Sequence, residues 1–358
     1  MTATHIAGYK HVRGVHCATA ALRNVVYHAK GLLLSEAMVL GIGSGLNFSY
    51  VRFPWSPVIV TMGRGTDIEV TFSDALGISL EACVFYDPVP AWQYLKERIE
   101  AQQLVMIDTD MFMLPYCVAE MEPAMLGFHF GGHKTLVVGF NLTEDCAFLA
   151  DYAWQKPHRI SLPALAQARN TGDCPSPPQN RTFVFHFPET LFTLQHAIML
   201  GLTRNACLMR NPISSCTGLP AIDRFCRQVR HWNHVLPEND LLANVALAGY
   251  MMEKGGSGGG NFRNLYARFL SESSAILKDV RLQQAAGIYL EAGRLWTELA
   301  GLLTESAHGI SRGLFDPARQ GDRLLKNIWK LENEGLCAIE GIVQYPEAET
   351  SSFPADKN

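Results

Sequence analysis

A cysteine and a histidine stand together at the head of a helix-forming run, His16-Cys17-Ala18-Thr19-Ala20-Ala21-Leu22. A thiol attacks a carbonyl only as thiolate. A helix N-terminus favours that form, because its unpaired N–H groups carry roughly half a positive charge. The alanine-rich run puts Cys17 in the first turn. Two later residues complete a set for acyl chemistry. His133 opens Thr135-Leu136-Val137-Val138-Gly139-Phe140, a β-branched, apolar run, and Asp151 ends Ala147-Phe148-Leu149-Ala150. An imidazole serves first as base to the thiol and then as acid to the leaving group. The polar stretch Asn141-Leu142-Thr143-Glu144-Asp145 suits a hairpin. Antiparallel pairing then brings Asp151 toward His133, where a carboxylate fixes the imidazole tautomer. The plainer reading is that Cys17 is an inert core thiol, as most cysteines in apolar helices are.

These residues need elements to hold them. The pattern predicts a helix from Cys17 to Ala29, stopped near Gly31, and a short helix over Leu34–Leu40. Short strands are expected at Pro57–Thr61, Ser79–Phe85 and Leu104–Asp108. An amphipathic helix over Ala91–Gln102 carries Trp92, Leu95 and Ile99 on one stripe. Pro157–Ala168 reads as a loop and a short helix, and Arg181–Phe187 as the closing strand. This half is an α+β layer. From Thr190 to Val343 the pattern is helical throughout: Leu191–Met209, Ala221–Val235, Asp240–Glu253 with Asp240 as N-cap, Phe262–Lys278, Leu282–Ala307 and Asp316–Val343. The expected division is a catalytic domain over 1–188, a helical substrate or cap domain over 189–345, and a frayed tail over 346–358.

Two glycine-rich segments invite a ligand. Gly41-Ile42-Gly43-Ser44-Gly45 lacks the third glycine of a dinucleotide fingerprint and the lysine of a P-loop, so a tight turn shaping the cleft is the better reading. Gly255-Gly256-Ser257-Gly258-Gly259-Gly260 lies between two helices. It is either a linker whose Gly255 caps the first helix, or bare backbone approaching a ligand. In the second case Arg263 adds a bidentate donor for carboxylate or phosphate, and Tyr266 lines the same pocket. His129 and His133 are four apart, but the intervening glycines disfavour a helix and no Glu follows His129. His231 and His234 have no acidic or Cys partner nearby. No metal is expected.

Composition bounds the rest. The 358 residues carry a net charge of −4, which makes no case for nucleic acid. Arg204, Arg210, Arg224, Arg227 and Arg230 are either a local basic patch for an acidic protein or a solvated helix face. Nine cysteines without a repeated C-x-x-C indicate a reducing compartment. The first six residues lack an apolar export signal, and no run approaches the ~18 apolar residues needed to span a membrane. A cytoplasmic enzyme is the expectation.

Several motifs together resemble the butirosin-biosynthesis BtrH-type acyltransferases. They are the His16-Cys17 helix through Asn24, the run Leu34–Leu46, the Asp108-Thr109-Asp110 to Tyr116 segment and Gly131-Gly132-His133. The stretch Glu253–Leu270 is similar to the helical domain of unknown function that accompanies that N-terminal domain. The resemblance spans about Gly14 to Trp296. It implies a papain-like fold with an all-α C-terminal domain, and a cysteine acyltransferase. The donor is the phosphopantetheine thioester of an acyl carrier protein, the acceptor a small-molecule amine, and the product an amide; no cofactor is held. Carried over by position, Cys17 is nucleophile, His133 base and Asp151 orienting acid. Two residues depart from the pattern. Where papain-like sites carry a Gln before the Cys, His11 stands, so His11, His16 or the Cys17 N–H would serve the oxyanion. Cys117 stands where the family has His, beside Tyr116, a further candidate lining residue. The resemblance also implies that the glycine loop, Gly256 to Gly260 with Arg263 and Tyr266, meets the pantetheine phosphate or an acceptor carboxylate. A hydrolase or a cyclase would use the same triad. A binding module that kept the fold would still function with Cys17→Ala. The oligomeric state is open, a homodimer included.

Overall fold

The run beginning at His133 is buried along eight of its nine residues, which makes it the natural centre of a sheet covered on both faces. The computed structural model describes residues 3–343 except 54–55, 122–128, 173, 175, 309–312 and 317–320. In chain order the strands are β1 (Thr4–His5), β2 (Leu46–Arg52), β3 (Ile59–Arg64), β4 (Ser79–Cys83), β5 (Val105–Thr109), β6 (His133–Asn141), β7 (Cys146–Ala150), β8 (His158–Ser161) and β9 (Thr182–His186). The helices are α1 (Cys17–Lys30), α2 (Glu36–Ile42), α3 (Ile68–Ala75), α4 (Pro88–Glu100), α5 (Pro115–Val118), α6 (Leu162–Arg169), α7 (Leu194–Arg210), α8 (Gly218–Gln228), α9 (Trp232–Val235), α10 (Glu238–Glu253), α11 (Arg263–Leu277), α12 (Val280–Ala307) and α13 (Gly321–Val343).

The main sheet is antiparallel, ordered β4-β9-β5-β6-β7-β8, with β1 added to β6. Helices α1 and α4 both pack on β6. The structure is therefore mixed, with an antiparallel sheet early and helices late, the α+β arrangement. The 141–145 hairpin forms as the polar connection requires, pairing Leu136 with Ala150 and so bringing Asp151 back toward the start of β6. Helix α1 ends where expected: Gly31 adopts φ 67° and donates to the Tyr27 carbonyl.

Four local readings differ. The strand over 182–186 does not close the sheet but lies inside it, between β4 and β5. β8 occupies part of the stretch expected as loop. Pro237 rather than Asp240 caps α10, whose first turn holds Asp240. Gly41 to Gly45 are not among the residues that line the cleft over Cys17. Gly41 lies inside α2 against the Phe269 ring of α11, where a Cβ would sit 2.1 Å from the ring, so packing fixes the glycine there.

The hairpin β2–β3 stands apart from the main sheet and packs on α8 and α10. Polar side chains from the helices hold it: Asn205 accepts from the Leu46 N–H at 2.8 Å, and Asn244 from the Ile59 N–H at 2.6 Å. An early segment of the chain is thus built into the late helices, and β3 ends at the cleft described below. After β9 every described element is helical. Among the described residues no helix is long and apolar enough to cross a membrane.

Candidate active site

The turn that carries Cys17 is positioned by an acid from the next helix. Glu36 opens α2, and its buried carboxylate accepts from the backbone N–H of Val15 (2.9 Å) and His16 (3.1 Å) and from the Thr19 hydroxyl (2.9 Å). Gly14 suits this turn because a Cβ there would meet that carboxylate at 2.5 Å. His16 is the N-cap of α1, its Nδ1 accepting from the Thr19 N–H at 3.3 Å. Cys17 is the first residue of α1 and is buried.

His133, the first residue of β6, is buried beside it. Its Nε2 lies 2.8 Å from Asp151 Oδ2, which leaves Nδ1 as the ring's other polar atom. Asp151 is pinned in turn: Oδ2 accepts from the Tyr116 hydroxyl at 3.1 Å and Oδ1 from the Tyr152 N–H at 2.7 Å. The Tyr152 carbonyl accepts from Gly14 N–H at 2.7 Å, tying the loop after Asp151 to the loop ahead of Cys17. Cys17, His133 and Asp151 therefore meet.

The charges favour an ion pair. Burial pushes the Cys17 thiol up, but a hydrogen bond and the charge of His133, the Arg64 guanidinium and the Lys134 backbone N–H outweigh it, and the thiol falls below its ordinary range. Burial pulls His133 down, while the Asp151 carboxylate and the two thiols, Cys117 and Cys17, hold it well above the ordinary imidazole range. Both shifts point the same way, to thiolate beside imidazolium.

An open cleft of about 730 Å³ lies over this pair. It is lined by His16, Cys17, His133 and Tyr152 from the first half, by Met62 and Arg64 from β3, and by Tyr250, Lys254, Gly256 and Phe262 from the α10–α11 connection.

Residues 16–152 match the family described as butirosin biosynthesis protein H, N-terminal. Residues 163–338 match a domain of unknown function, DUF4872. The first half of the chain is thus similar to the BtrH N-terminal family, and the second half to that domain. No curated protein matches the chain.

The other sequence-predicted residues divide. His16 lines the cleft, and its Nε2 is buried without a hydrogen-bond partner among the described residues. His11 does not line the cleft; it meets the Tyr9 hydroxyl at 2.8 Å, behind the Asp151 backbone. Tyr116 likewise stands behind Asp151, stacked on His158 at 4.0 Å, and orients the acid instead of contacting a ligand. Of the glycine loop only Gly255 and Gly256 reach the cleft. Gly255 donates to the Tyr250 carbonyl, closing α10. Ser257 is fully buried, its hydroxyl donating to the Met252 carbonyl and accepting from the Gly259 N–H. Gly258, Gly259 and Gly260 take φ of 67°, 81° and 59°, a conformation that explains glycine without a ligand. Gly260 also packs on Gly293 of α12, 2.8 Å from where its Cβ would be. Arg263 and Tyr266 are fully buried away from the cleft. Arg263 pairs with Glu332 at 2.6 Å, so it supports the loop instead of offering a donor to substrate.

The arginine patch dissolves the same way. Arg204, Arg210, Arg227 and Arg230 each pair with a carboxylate of this chain, and Arg224 donates to the Tyr50 carbonyl. His129 pairs with Asp110. One group among the described residues brings three metal-ligating atoms together: Cys117, His133 and Asp151, within 4.8 Å of one another. The sequence spacing did not suggest it, because Cys117 comes from α5. A soft divalent ion there would compete for the His133 nitrogen that bonds Asp151.

Proposed function

We propose that this protein is a papain-like cysteine acyltransferase of natural-product biosynthesis, with a catalytic domain over 1–188 and a helical domain over 189–345. The observation that carries the reading is the buried Cys17–His133–Asp151 set beneath an open cleft. The family's name, butirosin biosynthesis protein H, supports a biosynthetic setting. The donor is an acyl thioester on the phosphopantetheine arm of a carrier protein, the acceptor an amine, and the setting the cytoplasm. Cys17 thiolate adds to the thioester carbonyl. The tetrahedral intermediate collapses to acyl-Cys17 and releases the pantetheine thiol, protonated by His133. The amine then adds, gives its proton to His133 and forms the amide as Cys17 leaves. The helical half narrows the cleft and limits water, which favours transfer over hydrolysis.

His16 supplies the oxyanion donor in place of the absent Gln. Burial and the positive charges of Arg64, His133 and Lys134 hold His16 far below the ordinary imidazole range, so the ring stays neutral. With Nδ1 as the helix cap, accepting from the Thr19 N–H, the neutral ring carries its single proton on Nε2. That N–H is buried, unpartnered and at the cleft, which is what a preorganised donor requires. His16→Ala is expected to slow acyl-enzyme formation by about 10²-fold, near the cost of one oxyanion donor. His16→Gln, which keeps an N–H, recovers part of that. Equal acylation rates in wild type and His16→Ala would assign the oxyanion to backbone N–H groups alone.

The test of the activity itself is intact mass after mixing with acyl-pantetheine thioesters, beside Cys17→Ser. Wild type is expected to gain the acyl mass and to lose it to an added amine as amide. The Ser variant gains no acyl thioester. Release only as free acid would make the protein a hydrolase.

A further inference from the structure

The cleft holds positive charge that this chain does not neutralise. Arg64 ends β3 and is 8 % exposed, yet among the described residues its one hydrogen bond is from Nη1 to the Gly65 carbonyl, at 2.7 Å. A guanidinium has five N–H donors and no way to lose its charge. Arg23, Lys134 and Arg263 are comparably buried, and each faces a carboxylate: Glu36, Asp108 and Glu332. Among the described residues no carboxylate pairs with Arg64, and no Asp or Glu lines the cleft, which Lys254 also borders. An isolated buried cation is costly, so a ligand anion is the natural partner.

In the resting site the Cys17 thiolate supplies a negative charge nearby. Acylation turns the thiolate into a neutral thioester and takes the proton from His133, so the net charge of the site is unchanged, but Arg64 loses this anionic neighbour. A carboxylate carried in by the substrate takes the thiolate's place as the anion near Arg64. Met62, Met111, Met251 and Phe262 surround the same space. Thioethers are adaptable apolar contacts, suited to a hydrocarbon spacer between an acid group and the reacting carbonyl.

We propose that Arg64 binds a carboxylate of the substrate, and that the protein acts on acid-bearing molecules. This rests on Cys17 as acyl acceptor for its meaning in turnover. The anion site itself is tested without acyl transfer, by alkylating Cys17 with iodoacetate and with its neutral isostere iodoacetamide, followed at the Cys17 peptide by mass. The ratio of the two rates cancels any change in thiol ionisation. It is expected to fall about tenfold in Arg64→Gln and only in part in Arg64→Lys, which keeps the charge but loses the fork. A ratio unchanged in Arg64→Gln overturns the proposal. So does a wild-type ratio equal to that of free N-acetylcysteine, which needs no variant to fold.

Two substrate pairs then locate the acid. Faster acylation by succinyl-pantetheine than by its terminal amide puts it on the donor. Faster deacylation by glycine than by glycinamide puts it on the acceptor. Either preference must disappear in Arg64→Gln. No acylation by any thioester, with the alkylation ratio intact, would overturn the transferase reading and leave the anion site standing.

Discussion

Replacing His133 by Ala is expected to cut alkylation of Cys17 by iodoacetamide at pH 6.5 by about a hundredfold, and acyl-enzyme formation by at least about 10³-fold. Burial alone pushes the thiol up, and His133 is the largest influence bringing it back down. Without the imidazole, only the smaller influences of Arg64 and the Lys134 N–H remain to oppose the burial. An ordinary thiol, near 8.5, is about 1 % ionised at pH 6.5, and a buried one less. The sign follows from the two directions. In wild type the thiol lies low and the imidazole high, so the reactive pair persists well to the acid side of 8.5. In the variant the rate climbs with pH toward and beyond 8.5, and the deficit shrinks as pH rises. The measurement is a pH–rate profile read at the Cys17 peptide. Superimposable profiles would mean that His133 does not activate Cys17. Acylation suffers more than alkylation, because the imidazole must also deliver a proton to the departing thiol.

The three residues of that site were legible because each marks a boundary. Cys17 begins a helix, His133 begins a strand and Asp151 follows one, and such boundaries are written in local patterning. The turn between β6 and β7 fixes the register, which is why order along the chain translated into contact. What could not be read was whatever depends on a distant segment. Glu36 has the local pattern of any acidic first-turn residue, and only the fold turns it toward the N–H groups of Val15 and His16. Arg64 ends a strand of a hairpin that leaves the main sheet for the late helices, so nothing near it in sequence announces the cleft. β2 was hidden because its alternation follows a glycine turn without a break. β8 was hidden by its four-residue length beside Pro157. Cys117 meets the site from α5 and is pushed up by burial, a thiol unlike Cys17 despite sharing its histidine.

Arg263 shows the same limit from the other side, and replacing it is expected to cost about 3–5 kcal/mol of stability, not substrate affinity. Its sequence context, a helix start after six glycine-rich residues, invites an anion. Its surroundings supply one from within: Glu332 of α13 at 2.6 Å, both side chains fully buried, with the Trp296 indole N–H donating to the same carboxylate oxygen at 2.6 Å. The guanidinium also donates to the carbonyls of Asn47, Gly63 and Asn261 at 2.8–2.9 Å. One side chain thus joins β2, β3, the glycine loop and α13, and holds Asn261 and Phe262 in their left-handed conformations at the cleft's edge. Arg263→Ala strands a buried carboxylate and three carbonyls, and the expected readout is a large fall in the urea midpoint. Glu332→Leu strands the cation and falls comparably. The double variant Arg263→Met with Glu332→Leu regains part of the loss, since no charge is left unpaired, but not the share owed to the three carbonyls. An Arg263→Ala protein with an unchanged midpoint and a raised KM for its donor would return Arg263 to the substrate. The geometry argues against that result, because the guanidinium makes four hydrogen bonds, one of them the ion pair with Glu332, and is fully buried away from the cleft, with no exposed face to offer.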